Sequence, residues 1–236
     1  MNPARRVAQM TVLTRSFRIG ACSRIVAAPR RREDRAMKRA LLVIDVQESF
    51  HQHPLWQAIS NPGIAEDVSR LVDTARAAGD PVIWILHTEP GSDSVFDPAS
   101  GLISFIDPLA PAAGEPVLTK TSINAFTTTG LQQLLVSQGI GELVICGIRT
   151  EQCCETTARV ASDLGYQVTF VVDATATHPI RHRDAPADIS VPDLLSDPRT
   201  LPASAVIERT VYALAGRFAT ITTIDEYAHR DILTRS

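Results

Sequence analysis

The sequence predicts an α/β fold: a three-layer α/β/α sandwich on a mainly parallel, doubly wound sheet of about six strands. Three observations carry this. From residue 39 onward, apolar runs of strand length alternate with segments of helical periodicity. The strand-like runs are continuously apolar rather than alternating, as strands covered on both faces must be. The chain has 236 residues, which suits one well-filled domain of this kind.

The first strand is "ALLVIDV" at 40–46, an apolar run that ends in a carboxylate. A helix follows over 64–79, with Val68, Leu71, Val72 and Ala75 at helical spacing and Gly79 as its stop. "PVIWILHT" at 81–88 is the second strand, and "PVLTK" at 116–120 is a short third. A helix over 130–139 leads to the fourth strand, "ELVICGI", at 142–148. A helix from Glu151, a strand at 167–174, a helix near 203–214 and a last strand at 218–224 complete the pattern. The segments 89–115 and 177–202 are rich in Pro, Asp and Ser and leave the carboxyl edge of the sheet. Loops of that length are expected to serve as lids or specificity loops.

Charge is unevenly spread. Residues 1–36 hold nine arginines and only two acids, whereas the remainder carries a net charge of −10. An acidic body argues against a nucleic-acid partner. No apolar run approaches the roughly 18 residues that span a bilayer, so no membrane partner is expected. The expected organisation is a basic, disordered or non-native extension over 1–36 and a single domain over 37–236, with Met37 an alternative start. The four cysteines are Cys22, Cys146, Cys153 and Cys154. They are too few for a disulfide framework and lack C-x-x-C spacing, which points to reduced thiols in a cytoplasm.

In α/β sheets of this type the working site lies beyond the carboxyl ends of the strands. Asp45, His87, Lys120 and the "IRTEQCC" turn all fall there. Thr150 reads as an N-cap with Cys153 at the third helical position, where unpaired N–H groups and the helix dipole favour a thiolate. Cys154 lies about 100° further round and is expected to pack against the sheet. Lys120 is one of only two lysines beside 21 arginines. Lysine can lose its proton and is a compact ammonium, which arginine cannot match. The competing reading is a surface lysine after an edge strand. Asp45, at the end of an apolar strand, is partly desolvated and in want of a cation. An acid, an ammonium and a thiol suit nucleophilic catalysis, with Asp45 capping a loop as the structural alternative.

Three stretches carry a resemblance: "LLVIDVQESF", "VLTKTSINAFTTTGLQQLLVSQGIGELVICG" and "GIRTEQCCETTARVASDLGYQVTFVVDA". Together they resemble the isochorismatase-like cysteine hydrolases, which include nicotinamidases, N-carbamoylsarcosine and ureidoacrylate amidohydrolases, and isochorismatases. The resemblance implies Asp45, Lys120 and Cys153 as a catalytic triad. It also implies a cis peptide between Ile148 and Arg149, and an oxyanion hole formed by the backbone N–H groups of Arg149 and Cys153. Phe50, His87 and Phe126 fall at positions expected to contact substrate, although each could equally be structural. The Asp-x-His metal motif of nicotinamidases is missing from "HTEPGSDSVF". His51 and His53 have no evident third partner, so no metal and no cofactor are expected. The resemblance implies a cysteine-dependent hydrolase cleaving a C–N bond of a small amide or ureido compound, assembled as a homodimer or homotetramer. The alternatives are vinyl ether hydrolysis of the isochorismatase type, a non-catalytic binding or oligomerisation module, and a thiol redox role for the Cys153–Cys154 pair.

Overall fold

In the computed structural model the described residues are 37–235, so Cys22 and the basic segment 1–36 lie outside them. A six-stranded, wholly parallel sheet organises the rest, in the order β3-β2-β1-β4-β5-β6. Along the chain, β1 (Lys38–Ile44) leads to short α1 (Glu48–His51) and long α2 (Ile64–Ala78). Then come β2 (Val82–His87), β3 (Val117–Lys120), α3 (Leu131–Gln138) and β4 (Ile140–Ile148). A π-helical turn over Thr150–Cys154 runs into α4 (Glu155–Asp163), followed by β5 (Gln167–Ala176) and α5 (Val191–Ser196). The chain closes with α6 (Ala203–Leu214), β6 (Thr220–Thr222) and α7 (Ile224–Arg235).

Both faces of the sheet are buried, and the period-2 alternation of strand side chains divides the core in two. Leu41, Val43, Val82, Trp84 and Val144 point to the face covered by α2 and α7, with Val68, Leu71, Val72 and Tyr227 opposite. Ala40, Leu42, Ile44, Ile83, Ile85, Leu143 and Ile145 point to the other face, against Leu131, Leu135, Ala158, Ala161 and Leu214 of α3, α4 and α6. Glu155 ties two of those helices together. It is buried, accepts from Arg159 of its own helix, and also accepts from Arg209 and Thr210 of α6. No helix among the described residues is long and apolar enough to cross a membrane.

Two elements differ from expectation. The last strand is three residues rather than a run over 218–224, because the chain turns into α7 at Ile224. Thr223 and Glu226 form a reciprocal capping box: Glu226 Oε2 accepts from Thr223 N–H and Thr223 Oγ1 accepts from Glu226 N–H. The apolar strand reading of "TITTI" masked that signal. The turn before α4 also differs. Arg149, not Thr150, stands at the N-cap and supplies no side-chain cap, while Thr150 Oγ1 donates to Thr175 Oγ1 on β5.

Candidate active site

The strand order reverses between β1 and β4, which is where parallel α/β sheets open a crevice at their carboxyl edge. Two backbone features bring the ends of these strands together. Asp45 follows β1 in the left-handed region at φ 56°, uncommon for a residue other than glycine. Gly147, opposite Ile44 in the register, has φ 126°, and a Cβ there would lie 1.9 Å from the Ile44 carbonyl oxygen. Only glycine allows this approach, which carries the cysteine turn up to Asp45. Beyond it, the Ile148–Arg149 peptide is cis.

β2 and β3 supply the other side. His87 and Lys120 are register partners at the ends of their strands. Gln47 fastens β1 to β2 there: its amide donates to the His87 carbonyl at 2.9 Å and its oxygen accepts from the His87 N–H at 2.7 Å. The Gln47 amide thus continues the sheet ladder past its last backbone pair.

Asp45, Lys120 and Cys153 meet in the space so formed. Lys120 Nζ lies 2.7 Å from Asp45 Oδ2 and 3.4 Å from Cys153 Sγ. It also lies 3.3 Å from His87 Nδ1 and donates to the Ser122 carbonyl at 3.2 Å. Asp45 and Lys120 are fully buried and Cys153 nearly so. Lys120 sits on an edge strand yet has no exposed surface, which corrects the surface-lysine reading. At 2.7 Å the ammonium makes a charge-assisted contact with Oδ2, and the two oxygens of Asp45 have no other donor among the described residues than Lys120 and Cys153.

Burial sets the protonation of this group. It raises the Asp45 carboxyl above the usual range, with Lys120 opposing. For Lys120, burial is outweighed by Asp45 and Cys153, and its proton is held more firmly than usual. Burial, reinforced by Asp45, pushes the Cys153 thiol well up. The expectation of a dipole-stabilised thiolate is corrected accordingly: desolvation and a neighbouring carboxylate outweigh one helix terminus. A neutral thiol beside a carboxylate of raised proton affinity is a donor beside its base. Cys154 is fully buried in the core on the α4 side, and the described cysteines are free thiols.

The other expected contacts are spread more widely. His87 touches Lys120 directly. Phe50 packs edge-on against Phe96 at 4.9 Å, and Phe96 also meets the rings of His87 and His53. Phe96 belongs to the 89–115 segment, so that segment reaches the site at His87. Phe126 lies against Tyr166 in the core cluster that also holds Cys153. His51 pairs with Glu48, and His53 caps a short 3-10 turn by accepting from Leu55 N–H. Sequence reasoning missed Gln47 and also His178, which stacks on His53 at 6.0 Å. Gln47 stood beside Asp45 in "DVQ" as a possible signal, whereas nothing local marked His178.

The fold and this cluster define a class: a doubly wound parallel α/β protein with a buried carboxylate, ammonium and thiol at the switch point of its sheet. Comparison with known proteins gives the particular family. The isochorismatase domain model matches residues 39–188. The isochorismatase family protein YddQ of Bacillus subtilis is 30% identical over 81% of this chain and 99% of its own. Streptothricin hydrolase of Streptomyces noursei is 34% identical over 75% of this chain and 65% of its own. The crystal structure of an isochorismatase-family hydrolase from Chromobacterium violaceum superposes with a TM-score of 0.73, at 26% identity over 83% of this chain and 94% of that one. The chain belongs to the isochorismatase family and is a hydrolase.

Proposed function

We propose that the chain is a cysteine-dependent hydrolase that cleaves a C–N bond of a small amide or ureido compound through a thioester. The observation that carries this reading is the position of Lys120 Nζ, 2.7 Å from Asp45 and 3.4 Å from Cys153 in a fully buried site. Asp45 takes the thiol proton as Sγ attacks the carbonyl carbon. Negative charge develops on the carbonyl oxygen and meets the Lys120 ammonium together with the N–H groups of Arg149 and Cys153, a preorganised electrostatic arrangement. Asp45 then gives its proton to the leaving nitrogen, the C–N bond breaks, and an acyl thioester remains. Asp45 next deprotonates a water that attacks this thioester. The acid product leaves and Cys153 recovers its proton.

The raised proton affinity of Asp45 suits a group that must both accept and donate. His87, at 3.3 Å from Nζ, positions the ammonium. The reading includes a cytoplasmic enzyme that works without metal or cofactor and assembles as a homodimer or homotetramer, the last checked by sedimentation. Screening small amides and ureides by ammonia release tests the chemistry. Turnover lost in Cys153→Ala and kept in Cys154→Ala is the expected result, and turnover surviving in Cys153→Ala overturns it.

A further inference from the structure

Beside the nucleophile turn lies a cavity of about 430 Å³, lined among others by Arg149, Gln152, His53, His178 and Arg181. Its size is that of a small-molecule site rather than a polymer groove. Arg149 and Gln152 belong to the same turn as Cys153, so the cavity opens within the turn that carries the nucleophile. A chain of ring contacts also links its wall to the residues around Lys120. His87, in contact with Lys120, meets Phe96, which meets His53, which stacks on His178 in the cavity wall.

The charge of this cavity is lopsided. Arg149 is neutralised by Glu151 at 2.6 Å, and Glu151 also accepts from Thr177 at 2.6 Å. His53 and His178 are held toward their neutral forms by burial, with the Arg149 charge adding to it. Arg181 is different: its guanidinium donates to the Ala185 carbonyl at 2.8 Å, a neutral partner, and makes no ion pair among the described residues. Most of the remaining wall is apolar, including Leu55, Ile180, Ile189 and Leu194. A cavity with an apolar wall and one uncompensated guanidinium suits a ligand with an apolar body and a carboxylate, which arginine meets bidentately.

We infer that this cavity is the subsite for the part of the substrate remote from the scissile bond, and that it selects a carboxylate-bearing amide or ureide through Arg181. This rests on the hydrolytic reading above for the word substrate, but not for the binding itself. Binding is therefore measured on the Cys153→Ala protein, where turnover plays no part. Isothermal titration with 4-phenylbutyrate and with 4-phenylbutyramide compares two ligands of nearly equal shape, one ending in a carboxylate and the other in a neutral amide. The carboxylate is expected to bind about tenfold more tightly, the gain of one charge-assisted contact. Arg181→Gln on the same background should remove that preference and leave the amide's affinity unchanged. Equal affinities, no binding of either ligand, or a preference that survives Arg181→Gln overturns the inference. The two readings fail separately: carboxylate preference in a protein that hydrolyses no amide upholds the subsite alone, and turnover without preference upholds the hydrolase alone.

Discussion

At the scale of single residues, protonation decides most of what can be tested. Cys153 and Cys154 adjoin each other in the chain, yet only Cys153 lies beside an acid and an ammonium. Iodoacetamide labelling with peptide mapping should therefore modify Cys153 far faster than Cys154, and equal rates would count against the assignment. Asp45 must be ionised to act as a base, and burial raises its pKa above the ordinary 3.8. As pH falls, activity should disappear at a higher pH than an ordinary aspartate would give, placing the acid limb of kcat/KM above 3.8. His178 carries a stability signature of the opposite kind. Burial, helped by Arg149, lowers its pKa from 6.5 to about 4. Between pH 6.5 and about 4 the unfolded chain takes up a proton that the folded protein refuses, so stability is lost across that window as pH falls. Urea unfolding at neutral and acid pH should show a smaller acid loss in His178→Asn than in the parent, and parallel losses would contradict this. Asp45, Lys120 and Cys153 were legible in the sequence because an acid, a scarce lysine and a scarce cysteine stood past strand ends, in motifs that resemble a known family. Their protonation was not, since it depends on how deeply three separate strands bury one another's side chains.

At the scale of elements, the β1–β4 contact is the point on which the site turns. Gly147→Ala would place a methyl group 1.9 Å from the Ile44 carbonyl. We expect it to prevent soluble expression or to lower the thermal midpoint steeply, with activity lost in step, as forced overpacking at a strained backbone does. Glu155 is the corresponding fastener between α4 and α6. Glu155→Ala leaves the buried Thr210 hydroxyl without its acceptor, while the part-exposed Arg159 and Arg209 turn to solvent, and should cost about 2 kcal/mol in a urea titration. Strands β1, β2 and β4 and helices α2, α3 and α6 were legible within a residue or two from apolar runs and glycine stops. The π turn was not: the Thr150 hydroxyl that the sequence suggests as a helix cap instead bonds Thr175 on β5, a partner 25 residues away. Helix α7 was hidden by a threonine- and isoleucine-rich run that favours strand. The capping box within that run decides for helix.

At the scale of the molecule, the parallel sheet does the assembling. One acid comes from the end of β1, one histidine from β2, one lysine from β3 and one thiol from the turn after β4. The order β3-β2-β1-β4 sets these ends side by side at the switch point. Sequence periodicity predicted the sheet, and the switch-point rule pointed to the edge where Asp45, Lys120 and Cys153 meet. The strand order itself follows from crossovers that no local pattern reports. The two long segments then cover that edge, with Phe96 from one and His178 from the other meeting at His53. The central claim is that this convergence makes Cys153 a nucleophile served by Asp45 and Lys120. Its most direct measurement is ammonia release from the best amide of a screened panel by the parent, Cys153→Ala and Cys154→Ala proteins, with thermal midpoints recorded for each. We expect Cys153→Ala to fall by at least about a thousandfold at an unchanged midpoint, the scale of losing a covalent nucleophile, while Cys154→Ala stays active. A Cys153→Ala protein that remains folded and retains a tenth or more of the parent rate would contradict the account.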